Sequence, residues 1–194
     1  MNHCFVTAVI VAMVLLLAVV FVSLRARRLD RLHQTVVKSR RALELALRAR
    51  AHYAQDFATS GGLDVAGGIL LADAADASLG KGMLPIVDDG LDGLDMTELK
   101  LGDRGGADDR RSIESSLSRT LRLTVDELEA EEIRPEAIDI YDRLNESRLE
   151  VRMTRTFHNS HVDQIRRVRR TFLARVFHLA GRAPIPSTVD IDDE

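Results

Sequence analysis

Residues 5–24 form one apolar run, FVTAVIVAMVLLLAVVFVSL, with Thr7 and Ser23 as its only polar members, and it stops at Arg25-Ala-Arg27-Arg28. About twenty residues at roughly 1.5 Å rise each cover the roughly 30 Å of a bilayer's hydrocarbon core. The run is therefore predicted to cross a membrane as a helix. It divides the chain into a short outer N-terminus over 1–4, the span over 5–24 and a soluble region from 25 onward.

Orientation follows from the arginines, because positive residues beside a span stay on the cytoplasmic side. Arg25, Arg27, Arg28 and Arg31 crowd the far end of the run, whereas Met1, Asn2 and His3 bring almost no charge. The expected protein is single-pass in the cell membrane, with the N-terminus outside and the C-terminal domain cytoplasmic. A cleaved secretory signal would place its basic residues before the apolar core, the reverse of the order seen here. The same four arginines are candidate membrane-surface residues, each contributing on the order of 1 kcal/mol against anionic lipid headgroups. Cys4 is the sole cysteine, so an internal disulfide is excluded.

Aromatic residues make up only 4 % of the chain and Trp is absent, so any core must be aliphatic; four prolines leave long stretches free of helix breakers. The expected fold class is all-α: a single N-terminal transmembrane helix continuing into an antiparallel bundle of two long and one or two short helices over 25–180. Leu32, Val36, Leu43, Ala46, Tyr53 and Phe57 recur at three- and four-residue spacing, which predicts a rod running to about Ala58 and ended by Ser60-Gly61-Gly62. Arg40, Arg41, Arg48 and Arg50 are assigned to its outer faces.

A short helix is expected over 64–79, with a small-residue face of Leu70, Leu71, Ala74, Ala75 and Ala77. Residues 80–109, rich in Gly and Asp, read as an acidic flexible loop with one short structured stretch near 96–101. Ile113, Leu117, Leu121 and Leu128 restore helical spacing. Thr124-x-x-Glu127 has the capping-box form, so this stretch is one helix or two jointed near Leu123. The second long helix is expected over 136–179, burying Ile140, Leu144, Val151, Phe157 or His158, Val162, Ile165, Val168 and Phe172, and an acidic, Pro-containing tail occupies 181–194.

Local chemistry is sparse. His158 and His161 lie three apart on a helix, yet no HExxH pattern surrounds them, and the acidic stretch at 126–132 reads as a solvated face. Gly80-Lys81-Gly82 lacks the preceding strand and the following Ser or Thr of a phosphate loop, and no G-x-S-x-G elbow occurs. No metal, cofactor or catalysis is expected; the alternative is a membrane-attached hydrolase with an unrecognised acidic or His site. A net charge of −3 without interleaved aromatics argues against nucleic acid.

Arg155-Thr-Phe157-His158-Asn159-Ser-His-Val162, with Phe172 ten residues beyond Val162, resembles the Arg-x-x-Tyr-Asn-x-x-Val pattern and downstream Phe in the last helix of LemA-like membrane proteins. Arg28-Leu29-Asp-Arg31-Leu32-His33 through Val36, Leu43, Leu47 and Arg48 is similar to the membrane-proximal helix of that family's high-GC bacterial branch. Ala183-Pro184-Ile-Pro186 is similar to the branch's tail. The likeness covers about half the chain in two blocks, and Ile165-Arg166 and Leu173 stand where the family has a second Tyr-Asn pair and a Pro. It implies a single-pass anchor, a short outer N-terminus and a cytoplasmic helical bundle with no assigned enzymatic activity. The expected function is a membrane-anchored interaction or scaffold module with an unknown protein partner or a second copy of itself.

Overall fold

The computed structural model describes residues 2–91, 106–129, 133–171 and 183–193, and all regular structure among them is helical. Helix α1 spans Asn2–Thr59, α2 Val65–Gly80, α3 Gly106–Thr124 and α4 Ile138–Arg169, the last preceded by a 3-10 turn at Pro135–Ala137. The membrane-crossing candidate and the first rod are one unbroken helix. Its large apolar side chains between Phe5 and Leu24 are 45 to 74 % exposed, apart from the half-buried Val22, so no other described part of the chain covers the stretch. This is the one stretch among the described residues long and apolar enough to span a membrane, and it lies near the N-terminus.

Two local devices turn the chain at the far end of α1. Gly61 takes φ +76°, a left-handed conformation that costs glycine little. Asp64 then caps α2, its Oδ1 accepting from Gly67 N at 2.8 Å.

The helices alternate in direction. Arg48 donates to the Gly82 carbonyl and Gln55 to Asp76, so α2 runs back along α1. Glu114 meets Ser78 near the start of α3, and Gly67 lies against Thr124 at its end, so α3 reverses again. Helix α4 descends antiparallel to α1, with Leu144 level with Ala51 and Phe57, Val151 with Leu43 and Leu47, and Val162 and Ile165 with Val36.

These pairings stack three apolar clusters along α1. The distal cluster joins all four helices through Ala54, Phe57, Leu71, Leu117, Leu121 and Leu144. The middle one closes Leu43, Leu47 and Val151 under Ile86, Val87, Val189 and Ile191. The proximal one packs Val36, Leu91, Val162 and Ile165, with Leu32 beside it.

Several expectations are corrected. Arg40 and Arg50 are not on outer faces of α1: both are buried, and Arg50 donates to Glu114 Oε2 at 2.7 Å and Ser118 Oγ at 2.8 Å while Arg110 reaches Glu114 Oε1 at 2.6 Å. Desolvation makes a buried cation costly unless it is paired and hydrogen-bonded, which Glu114 and Ser118 provide. Leu70 and Ala77 of α2 face solvent, and Ser78 is the buried residue instead. The loop expected over 80–109 is ordered over 81–91, burying Ile86, Val87 and Leu91, and its last residues already belong to α3; the stretch at 96–101 lies outside the described residues.

Thr124 does not open a new helix. Its hydroxyl donates to the Thr120 carbonyl at 2.8 Å, and α3 ends there in a turn. Helix α4 ends at Arg169 rather than near 179, and Phe172 lies outside the described residues.

Candidate functional site

The family-like motif falls on the middle of α4, and its helical spacing sends successive members to different places. Val162 enters the core and Phe157, 57 % exposed, points outward, which settles the Phe157 or His158 alternative in favour of a fully buried His158. Arg155, His158 and Asn159 converge on residues 183–193, which form an extended strap along the bundle. The acidic tail is thus part of the packed structure.

Helix α4 reads the backbone of the strap with side chains. Arg169 donates to the carbonyls of Ala183 and Pro184 at 2.9 and 2.6 Å, and Arg166 donates to that of Pro186 at 3.0 Å. Asn159 makes two bonds to Val189: Nδ2 donates to its carbonyl and Oδ1 accepts from its N–H, each at 2.8 Å. An extended segment leaves these groups without partners of its own, so the helix side chains supply what a neighbouring strand would supply in a sheet.

The other wall is built by α1 and the 86–91 turn. Asp89, whose carboxylate is 1 % exposed, pairs with Arg40, accepts from Ser187 N at 2.9 Å and accepts from Leu91 N at 3.1 Å. His158 lies between the walls, with Nδ1 3.1 Å from Ser39 Oγ and Nε2 3.4 Å from the Ser187 carbonyl. Burial, then the nearby Arg40 guanidinium, holds this imidazole below its ordinary value, with Ser187 and Asp89 opposing.

Side chains of the strap add sequence preference. Val189 and Ile191 are buried in the middle cluster. Asp192 accepts from Arg122 at 2.9 Å, and Asp193 meets Arg155 at 2.6 Å. The groove therefore suits an extended segment of the form apolar-x-apolar-acidic-acidic.

Arg25, Arg27, Arg28 and Arg31 are exposed where α1 leaves its apolar run, and the Arg25 guanidinium sits 5.0 Å from the centre of the Phe21 ring. They do not join the groove. Sequence reasoning missed Arg40, Asp89, Arg166, Arg169 and the strap itself as parts of one site. The detectable signal was Asp89-Gly90, a turn dipeptide whose Asp is free to hold neighbouring backbone N–H groups.

The chain matches no family model, and no curated protein or solved structure is significantly similar to it.

Proposed function

We propose that this is a single-pass membrane protein whose helical bundle lies on the cytoplasmic side and acts as a LemA-like interaction module, docking extended peptide segments in the groove now filled by residues 183–193. Support for the membrane reading comes from the uncovered apolar stretch of α1 followed by Arg25, Arg27, Arg28 and Arg31, which suit an anionic headgroup layer. The observation that carries the docking reading is the way the strap is held, through its backbone by Arg169, Arg166 and Asn159 and through two apolar residues followed by two acids. Backbone recognition tolerates sequence change, so a segment of another protein with the same pattern fits once the strap is displaced.

The hydrolase alternative draws no support from His158, which is committed to Ser39 and Ser187. No group of three or more His, Cys, Asp or Glu residues able to hold a metal is found among the described residues.

A labelled peptide with the sequence of 183–193 tests the docking reading against the full chain in nanodiscs. Val189→Asp with Ile191→Asp frees the groove, and this variant is expected to bind the peptide saturably. The wild-type chain binds it at least about tenfold more weakly, because its own strap competes at high effective concentration. A double variant that keeps its helical circular dichroism yet takes up no peptide rules the groove out as a docking site.

A further inference from the structure

Near the distal end of the bundle, α1, α3, α4 and the strap enclose a cavity of about 370 Å³ lined by Arg50, Arg122, Arg148, Arg152, Ser118 and Asn145. Asp126 and Asp193 also reach it. We propose that this cavity binds a phosphate group carried by a small soluble molecule.

Charge balance is the first support. Asp126 is occupied by Arg148, which holds it bidentately at 2.6 and 2.8 Å, and Asp193 is met by Arg155. Asp192 takes Arg122, and Glu114 is shared by Arg50 and Arg110. Arg152 has no ion-pair partner among the described residues. Among the described residues that line the cavity, Arg50, Arg122, Arg148 and Arg152 stand against Asp126 and Asp193, an excess of two positive charges that suits a dianion.

The second support is an unmet donor. Arg50, on the cavity wall, is 2 % exposed and its buried Nε–H has no hydrogen-bond partner, so this cation is incompletely hydrogen-bonded and an anion beside it offsets part of that cost. The Arg152 guanidinium and the Asn145 amide NH2 are the lining donors left available to phosphate oxygens, and a guanidinium fork suits their geometry.

Position decides the source of the phosphate. Arg50 lies 26 residues beyond Leu24 on the same helix, about 39 Å along its axis at 1.5 Å per residue. A lipid headgroup at the end of the apolar run does not reach that far. The cavity is separate from the part of the groove gripped by Asn159, and the proposal does not rest on the peptide-docking reading.

The experiment titrates inorganic phosphate into the full chain in phosphatidylcholine nanodiscs at constant ionic strength, with chloride as the balancing anion, and follows heat and melting temperature. Saturable binding is expected. Arg152→Ala is expected to weaken it about tenfold, the loss of one charge-assisted contact. Asp126→Asn, which removes a competing carboxylate and releases Arg148, is expected to tighten it, and Arg167→Ala, on an exposed part of α4 outside the cavity, leaves it unchanged. A purely structural role for the arginines would not produce opposite signs for Arg152→Ala and Asp126→Asn. Absence of saturable binding, or equal binding in wild type and Arg152→Ala, overturns the proposal. So does the same stabilisation from phosphatidylglycerol nanodiscs without phosphate, which would assign the site to lipid.

Discussion

Asn159 holds Val189 by both of its backbone groups at 2.8 Å each, a paired contact between α4 and the strap across thirty residues of sequence. Removing the amide with Asn159→Ala leaves one donor and one acceptor of the strap unmet, at a cost of about 1 to 3 kcal/mol. The amide proton of Val189 should then exchange with solvent at least about tenfold faster, since 1.4 kcal/mol is a factor of ten. Unchanged exchange there would show that Val189 is held by packing alone.

Glu114 sits at zero exposure between Arg50 and Arg110 and also accepts from Ser78 at 2.9 Å. Glu114→Gln keeps the shape but strips both guanidiniums of their counter-charge, so the bundle should lose about 3 to 5 kcal/mol in chemical denaturation. A wild-type midpoint would show that the arginines are hydrated rather than paired through Glu114.

His158 makes stability depend on pH. Its folded pKa lies below the ordinary 6.5, so above 6.5 both folded and unfolded forms are neutral and the full stability is present. As pH falls below 6.5 the unfolded chain takes up the proton first, and stability declines until the lowered folded pKa is passed. His33, also lowered by burial, titrates in the same window. His158→Gln should therefore flatten part of the decline between pH 7 and 5. An unaltered slope would show that His33 alone is responsible.

Leu43 is fully buried in the middle cluster, while Phe157 on the opposing helix is 57 % exposed. Leu43→Asp should cost several kcal/mol, on the order of 3 to 5, by burying an unpaired charge, and Phe157→Asp should change stability by less than about 0.5 kcal/mol. Equal melting temperatures for the two variants would contradict the register of α1 against α4.

For topology, neutral residues at Arg25, Arg27 and Arg28 together with an added Arg beside Asn2 should favour inversion of the chain in the membrane. The readout is protease access to residues 183–193 in sealed vesicles. Identical access in wild type and variant would remove the arginines as the determinant of sidedness.

Much of the architecture was legible because helices announce themselves locally. A stripe such as Leu32, Val36, Leu43, Ala46, Tyr53 and Phe57 needs only its own spacing to be recognised, and all but the half-buried Leu32 and Tyr53 are buried. Likewise Ser60-Gly61-Gly62 stops a helix through its own backbone preferences. Thr124-x-x-Glu127 misled because a capping box and a helix's final hydroxyl contact use the same residue types, and the direction the chain takes after Thr124 chooses between them.

Local pattern was enough to establish an apolar membrane-length helix running without a break into an aliphatic, antiparallel helical bundle, since periodicity and breaker placement are properties of neighbouring residues. Which arginines are solvated and which are buried came from long-range packing. Arg40 and Arg41 are adjacent and chemically identical, yet one side chain is 1 % exposed against Asp89 from 49 residues away and the other faces outward. The partners Asp89, Glu114 and Asp193 come from an acidic middle and tail whose places along α1 depend on how the chain turns between helices. A charge can be buried only where folding delivers its counter-charge, so the strap, its groove and the arginine cavity arise from the assembled bundle.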